Sequence, residues 1–355
     1  MRKESLEFLK ELLTTPSPMG FESRGQKVWC DYAKNYADEV RTDAYGNAVA
    51  VLNSDGNPKI LLDGHADEIG LMVKYIDDKG FIYFQRIGMV DPAEIRGKRV
   101  NIHSAKGSIR GVIGAAAIHL RERDAEPKVP KMHESFIDIG AKDRKAAEKK
   151  VSIGDPITFV DDFEIFSGTI AAGRGFDDRA GTWAVIEALR MLAAKRKHLK
   201  CAIYATSSIH EEGGTLAGAT MQTYNIRPDA ALVVDVGFAT DMPDVKNARH
   251  GEVRMGNGPT VTIGRENHPV LVQRLRTVAK NKKIKLQTET FAGKTNSQAI
   301  FKEIGGVPSV IVGIPSRYVH TTVEMLDLKD LQHTVDLLMA FCLDIKKGER
   351  FKVKV

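Results

Sequence analysis

Residues 59–68 read Lys-Ile-Leu-Leu-Asp-Gly-His-Ala-Asp-Glu, a short apolar run that ends in a histidine and several acidic residues. Strand-like and helix-like patterns then alternate along the chain, with apolar runs at 201–205, 230–234 and 308–313 and helical patterns at 1–40, 178–195, 268–282 and 327–346. This alternation is typical of an α/β sheet with helices on both faces. We therefore predict an α/β fold.

Another apolar run, at 47–52, precedes the opening stretch. The residues between the two runs include Ser54-Asp55-Gly56-Asn57-Pro58, which is rich in turn formers. We predict that residues 47–52 and 59–62 form a β-hairpin around this turn.

The segment 69–165 has a different character, with short β-rich runs punctuated by glycine and aspartate and few helical patterns. The chain has 355 residues, more than a single ordinary core accommodates. We predict a small all-β, barrel-like domain at 69–165, inserted into an α/β domain formed by 1–68 and 166–355.

The composition argues against several classes of protein. No apolar run approaches the ~20 residues that span a bilayer, and the first residues lack the pattern of a secretory signal. The cysteines, Cys30, Cys201 and Cys342, are dispersed, which argues against disulfides and a thiolate zinc site. The net charge is +6, but the basic stretches carry no nucleic-acid-binding motif. We expect a cytoplasmic protein without nucleic-acid or membrane partners.

Five predicted strands are followed by side chains that bind metals. Sites in open α/β sheets gather at the carboxyl ends of the strands. The stretches after the strands are 63–68, 175–181, 208–213, 235 and 314–320, and each contains His, Asp or Glu. Each is commonplace by itself, as a structural histidine, a helix N-cap or a solvated acidic pair. Together at one sheet edge they would repel one another unless cations neutralised them.

The residue types indicate which metal these positions suit. Imidazole and carboxylate without thiolate are typical ligands of catalytic zinc, cobalt or manganese. Two histidines and three carboxylates provide enough ligands for two ions if one carboxylate bridges them, and paired ions lie ~3.5–4 Å apart.

The chain resembles the tetrahedral (TET) aminopeptidases, which are also called deblocking or glutamyl aminopeptidases or cellulase M. The resemblance covers essentially the whole chain, and its motifs are 64–70 (GHADEIG), 176–181 (FDDRAG), Glu211-Glu212, 234–236 (VDV), 317–321 (RYVHT), 137–141 (IDIGA) and Gly154-Asp155. It implies the mixed-sheet α/β/α catalytic domain of the zinc peptidases.

The resemblance also implies roles for individual residues. One ion would be held by His65, Asp177 and Asp235, and the other by Asp177, Glu212 and His320, which gives two divalent ions (Zn, Co or Mn) per subunit. Glu211 would be the general base that activates a metal-bridging water and passes its proton to the leaving amine. Asp67 would orient the imidazole of His65. A cis peptide bond between Asp177 and Asp178 is also implied.

Some assignments stay open at this level. Asp241 is an alternative to Asp235 as a ligand, and Asp178 is an alternative to Asp177 as the bridge. The family usually has a valine at the position of Gly213, and Gly-Gly-Thr-Asp where this chain has Gly293-Lys294-Thr295-Asn296. Candidate substrate-binding residues are Lys294, Thr295, Asn296 and His210. The cation at Lys294 hints at acidic N-terminal residues in the substrate.

The implied activity is release of the N-terminal residue from short peptides, by dimers joined through the inserted domain and often by hollow tetrahedral dodecamers. The main alternative is a two-metal deacylase of N-acyl amino acids, although such enzymes usually have an α/β lid. A glycosidase would need aromatic platforms, and the aromatic content is 7%. A third alternative is a non-enzymatic shell or binding protein that keeps the metals for structure. Such a protein would have no use for Glu211 beside the ligand Glu212.

Overall fold

The fold consists of a large mixed sheet covered by helices and a separate closed β-barrel. The computed structural model describes residues 1–120, 129–160, 163–243, 245–290 and 293–355. Its strands are β1 (Glu39–Thr42), β2 (Ala48–Leu52), β3 (Lys59–His65), β4 (Gly70–Ile76), β5 (Ile82–Ile87), β6 (Arg99–Ser104), β7 (Gly107–Ile113), β8 (Phe136–Asp138), β9 (Pro156–Phe159), β10 (Glu164–Ser167), β11 (Ile170–Gly173), β12 (Ala202–Ser208), β13 (Ala230–Phe238), β14 (Thr260–Thr262), β15 (Gln287–Glu289), β16 (Ser309–Arg317) and β17 (Glu324–Asp327). Its α-helices are α1 (Lys3–Thr14), α2 (Ser23–Ala33), α3 (Arg144–Glu148), α4 (Phe176–Ala193), α5 (Ala217–Ile226), α6 (Asn247–His250), α7 (Pro269–Lys282), α8 (Ser297–Ile300) and α9 (Leu328–Asp344). None of these helices is long and apolar enough to cross a membrane.

The large sheet runs in the order β1-β2-β12-β3-β13-β16-β17-β11-β10, and β14 and β15 extend it beside β16. Strands β12, β3, β13 and β16 are parallel and form its centre. They are apolar runs because both faces are covered. One face packs against α1, α2, α4, α7 and α9, and the other packs against α5 and α8. This is a three-layer α/β/α domain.

Strands β4 to β9 close an antiparallel barrel in the order β4-β5-β8-β7-β6-β9. Its own core contains Leu71, Ile82, Val100 and Ile157, all fully buried. The mixed sheet and the separate barrel confirm the predicted fold class. The range predicted for the inserted domain, 69–165, includes residues 121–128 and 161–162, which lie outside the described residues. Strand β10, which begins at Glu164, belongs to the large sheet.

The predicted hairpin of residues 47–52 and 59–62 is wrong. Strand β12 lies between β2 and β3, antiparallel to the first and parallel to the second. The turn residues at 54–58 reverse the chain, but they do not determine which strands become neighbours. Because β2 and β3 are both almost wholly buried, each needs a neighbour on either side, and β12 supplies one to both.

Candidate metal centre and active site

The carboxyl edge of the central sheet collects the predicted ligands. His65 ends β3, and Asp235 lies near the end of β13. Glu211 and Glu212 follow β12, whose last residue, Ser208, pairs with His65. Asp177 lies in the first turn of α4, after β11, and His320 follows β16. Parallel strands bring these ends to one edge, so residues far apart in the sequence meet there.

Two groups of possible metal ligands share Asp177. In the first, Nε2 of His65 lies 3.2 Å from Oδ1 of Asp177 and 3.9 Å from Oδ1 of Asp235. In the second, Nε2 of His320 lies 3.2 Å from Oδ2 of Asp177 and 3.2 Å from Oε2 of Glu212. Within each group the ligand atoms lie within 4.8 Å of one another. The two oxygens of Asp177 therefore face different groups, as a bridging carboxylate would.

The electrostatics of the site fit bound cations. Within the described ranges, no lysine or arginine forms an ion pair with Asp177, Glu211, Glu212 or Asp235. Burial, together with neighbouring carboxylates, raises the pKa of Asp235, of Glu212 to about 7 and of Glu211 to about 8. Oε1 of Glu212 is buried without a hydrogen-bond partner among the described residues. Divalent ions would supply the missing positive charge and use this free oxygen.

Asp67 connects His65 to the acidic pair. Its backbone oxygen lies 3.1 Å from Nδ1 of His65, and its Oδ1 lies 3.5 Å from the same nitrogen. Its carboxylate also accepts hydrogen bonds from the backbone amides of Glu211, at 3.1 Å, and Glu212, at 2.9 Å. Asp67 thus contacts the imidazole of His65 and holds the loop that carries Glu211.

Glu324 is a residue of this site that the sequence did not indicate. It lies on β17, is 1% exposed, and accepts hydrogen bonds from the backbone amides of Asp177, at 3.0 Å, and His320, at 3.1 Å. It therefore positions two members of the second ligand group. The sequence feature that could have identified Glu324 is an acidic residue four positions after His320, at the start of a short strand.

The two alternative ligands lie outside both groups. The carboxylate of Asp178 accepts hydrogen bonds from the backbone amides of His65, at 3.1 Å, and Gly181, at 3.0 Å. Asp241 forms a two-point ion pair with Arg317, at 3.1 and 2.7 Å. The peptide bond between Asp177 and Asp178 is cis, as the resemblance implied.

The candidate substrate-binding residues make protein contacts. The ammonium of Lys294 donates to the backbone oxygen of Gly214, just beyond the acidic pair. The side chain of Asn296 is buried and donates to Asp63 at 2.8 Å, and Thr295 is also buried. Nε2 of His210 lies 3.6 Å from a carboxylate oxygen of Glu22. On the barrel side, Gly88 borders the site, since a Cβ there would lie 3.2 Å from Oε2 of Glu212.

Comparisons with known proteins show which family this chain is similar to. Residues 46–337 match the model of the M42 glutamyl aminopeptidase family. The lysyl aminopeptidase of Pyrococcus furiosus is 33% identical over 348 residues, which cover 96% of this chain and 97% of the relative. The crystal structure of a TET aminopeptidase from the archaeon Thaumarchaeota archaeon SCGC AB-539-E09 is similar at a TM-score of 0.92 and 31% identity, over 97% of this chain and 98% of the other.

A further similar structure is that of the Pyrococcus horikoshii TET1 peptidase, described as able to assemble into a tetrahedron or a large octahedral shell. Its TM-score is 0.86 at 28% identity, over 96% of this chain and 100% of the other. The family match and the relatives together show an enzyme that acts on peptide bonds. The chain belongs to the M42 glutamyl aminopeptidase family.

Proposed function

We propose that this protein is a two-metal aminopeptidase that removes the N-terminal residue from short peptides. The observation that carries the proposal is the carboxylate of Asp177, whose two oxygens each lie 3.2 Å from a histidine of a different ligand group. The first ion would be held by His65, Asp177 and Asp235, and the second by Asp177, Glu212 and His320. When bound, such ions act as Lewis acids and lower the pKa of water.

Glu211 is the general base of this proposal. Its Oε2 lies 3.9 Å from Nε2 of His65, and the residue belongs to neither ligand group, so its carboxylate remains available for proton transfer. It takes a proton from the attacking water and delivers it to the leaving amine. Asp67 holds the backbone of Glu211 in place through its hydrogen bond to the amide.

The proposed assembly and cellular location are inferred by analogy with members of the same family. We infer a homo-oligomer built from dimers joined through the barrel, with a tetrahedral dodecamer as the larger form, in line with the tetrahedron described for the P. horikoshii peptidase. A cytoplasmic location is consistent with the three buried, free cysteines. Zinc, cobalt and manganese all suit the ligand types.

The deacylase alternative is not favoured, because the inserted segment contains a closed β-barrel and the matching family model is that of glutamyl aminopeptidases. The preferred N-terminal residue is a separate question. The family description names a glutamyl activity, and the name of the P. furiosus relative is lysyl aminopeptidase. These two names therefore point to N-terminal residues of opposite charge. Lys294, Thr295, Asn296 and His210 remain candidates for substrate contacts.

The test is hydrolysis of aminoacyl-p-nitroanilides and of N-acetyl amino acids by protein stripped of metal and then supplied with Zn²⁺, Co²⁺ or Mn²⁺. We expect activity on the anilides that disappears with chelation and returns with metal. Activity on the N-acetyl amino acids alone would support the deacylase instead. Absence of activity on both kinds of substrate, with every metal, would refute the two-metal hydrolase.

A further inference from the structure

A cavity of about 280 Å³ opens beside the end of β13, the strand that carries Asp235. This volume lies close to the lower end of the range for small-ligand pockets, ~300–1,000 Å³. Its walls include the apolar side chains of Phe238, Met242 and Val253. Glu289, at the end of β15, also lines it. Among the described residues, the cavity therefore combines apolar walls with one acidic residue, Glu289.

Two glycines bring the carboxylate of Glu289 close to the ligand Asp235. Gly313 of β16 is the in-register partner of Asp235, and a Cβ there would lie 3.0 Å from Oε1 of Glu289. Gly237 is two residues beyond Asp235, and a Cβ there would lie 3.7 Å from both oxygens of Glu289. Side chains two residues apart on a strand point to the same face. The side chain of Glu289 thus lies over β13 and β16, on the face of the sheet that carries Asp235.

Glu289 is buried, and none of the described residues pairs it with a positive charge. It is 8% exposed, and the hydroxyls of Thr260, at 2.6 Å, and Thr262, at 3.0 Å, both donate to Oε1. Among the described residues, none donates to Oε2 and no cation forms an ion pair with this carboxylate. Burial raises the pKa of Glu289. The other titratable residue described along the cavity is His250, which is exposed.

We propose that this cavity receives the side chain of the substrate's N-terminal residue and that Glu289 selects lysine or arginine there. The inference rests on the proposed aminopeptidase function. In that function Asp235 would hold a metal ion at the scissile peptide bond, and the cavity opens beside the strand that carries Asp235. The methylene groups of a lysine or arginine side chain contact the apolar walls, and its cationic end pairs with the free oxygen of Glu289.

Other side chains fit this cavity less well. An acidic side chain would bring a second negative charge to a buried carboxylate. An apolar side chain would displace water from Glu289 and leave its oxygen without a partner. The sequence suggested, from Lys294, a preference for acidic N-terminal residues. The structure weakens this suggestion, because the ammonium of Lys294 donates to the backbone oxygen of Gly214 and Lys294 does not line this cavity.

The decisive experiment compares lysyl- and norleucyl-p-nitroanilide, whose N-terminal side chains differ essentially in the terminal ammonium. The metal-loaded wild type should show a kcat/KM for lysyl at least about tenfold above that for norleucyl. In Glu289→Gln, the ratio should fall close to one, because the variant lacks the carboxylate that pairs with the lysyl ammonium. Glu252→Gln, at an exposed glutamate paired with Arg254, is the matched control and should keep the wild-type ratio.

A wild-type enzyme that prefers norleucyl or glutamyl substrates would overturn the assignment, as would an unchanged ratio in Glu289→Gln. In both cases the aminopeptidase itself would stand. If the wild type hydrolyses no aminoacyl substrate with any metal, the proposed function fails and this inference fails with it. Should Glu289→Gln not fold, the wild-type ratio and that of Glu289→Asp, which keeps the charge and should keep the preference, decide the question.

Discussion

The carboxylate of Asp67 accepts a hydrogen bond from the backbone amide of Glu211 at 3.1 Å, and Asp67 is completely buried. Through this contact, Asp67, which lies two positions after the proposed ligand His65, also fixes the loop that carries the proposed base. The proposed base therefore has a defined position relative to the proposed metal ligands, although it belongs to neither ligand group.

Asp67→Asn tests this contact. An asparagine offers one acceptor oxygen and turns an N–H group toward the remaining amide, so Glu211 should shift. We expect kcat to fall by about 10- to 100-fold with the fold intact. Steady-state kinetics and circular dichroism check this, with Asp78→Asn as control, because the Asp78 side chain is 95% exposed. Wild-type kcat in Asp67→Asn would show that the contact is dispensable.

Glu211→Gln removes the proposed general base while keeping the size of the side chain. We expect kcat to fall by about 10²- to 10⁴-fold. Metal content should stay at the wild-type level, because Glu211 belongs to neither ligand group. Kinetics and elemental analysis of the same preparation measure both. Glu39→Gln, at an exposed strand residue, serves as control. Full activity in Glu211→Gln would assign the base to another group.

Glu324→Gln probes the positioning of the second ligand group. The buried glutamine would present an N–H group to an amide of Asp177 or His320, so one buried donor would lose its acceptor. We expect the free energy of unfolding to fall by about 1–3 kcal/mol and metal affinity to fall by about 10- to 100-fold. Denaturant titration and metal titration measure the two effects. Unchanged metal affinity would limit Glu324 to a structural role.

The ionisation of Glu68 predicts how the stability of the folded protein depends on pH. Burial acts to raise its pKa, but the guanidinium groups of Arg174 and Arg179 outweigh burial and lower it. Burial also lowers the pKa of Arg179, which stays charged at neutral pH. Because the folded-state pKa of Glu68 is lowered, its stabilisation is present above the unfolded value, about 4.3, and is lost as pH falls through the folded value.

Glu68→Gln should therefore destabilise the protein by about 3–5 kcal/mol at neutral pH, since two buried arginines lose their partner. The difference from wild type should shrink as the pH falls below about 4. Urea unfolding of metal-free wild type and variant across pH measures this difference, and the exposed Glu39→Gln is again the control. A difference that does not vary with pH would contradict the account.

The sequence predicted those parts of the site that follow long apolar strands. His65 and Asp235 were identifiable because β3 and β13 are buried parallel strands whose ends meet at one edge. The position of β12 between β2 and β3 was not predictable. A turn indicates that the chain reverses, but it does not indicate which distant strand pairs with each of its flanking strands.

Glu324 and Glu289 were missed for a related reason. Each lies on a short strand, where an acidic residue resembles one on a solvated face. Their burial depends on distant neighbours, such as the backbone amide of Asp177 for Glu324 and the hydroxyl of Thr260 for Glu289. Local patterns contain no information about such contacts.

The most direct test of the shared carboxylate is the number of metal ions required for activity. Metal-free protein should be titrated with Zn²⁺ or Co²⁺ while bound metal and hydrolysis of aminoacyl-p-nitroanilides are measured together. We predict that full activity requires two ions per chain, and that Asp177→Asn weakens binding of both ions because the two groups share this carboxylate. Full activity with one ion per chain, or two ions bound with wild-type affinity in Asp177→Asn, would contradict the account.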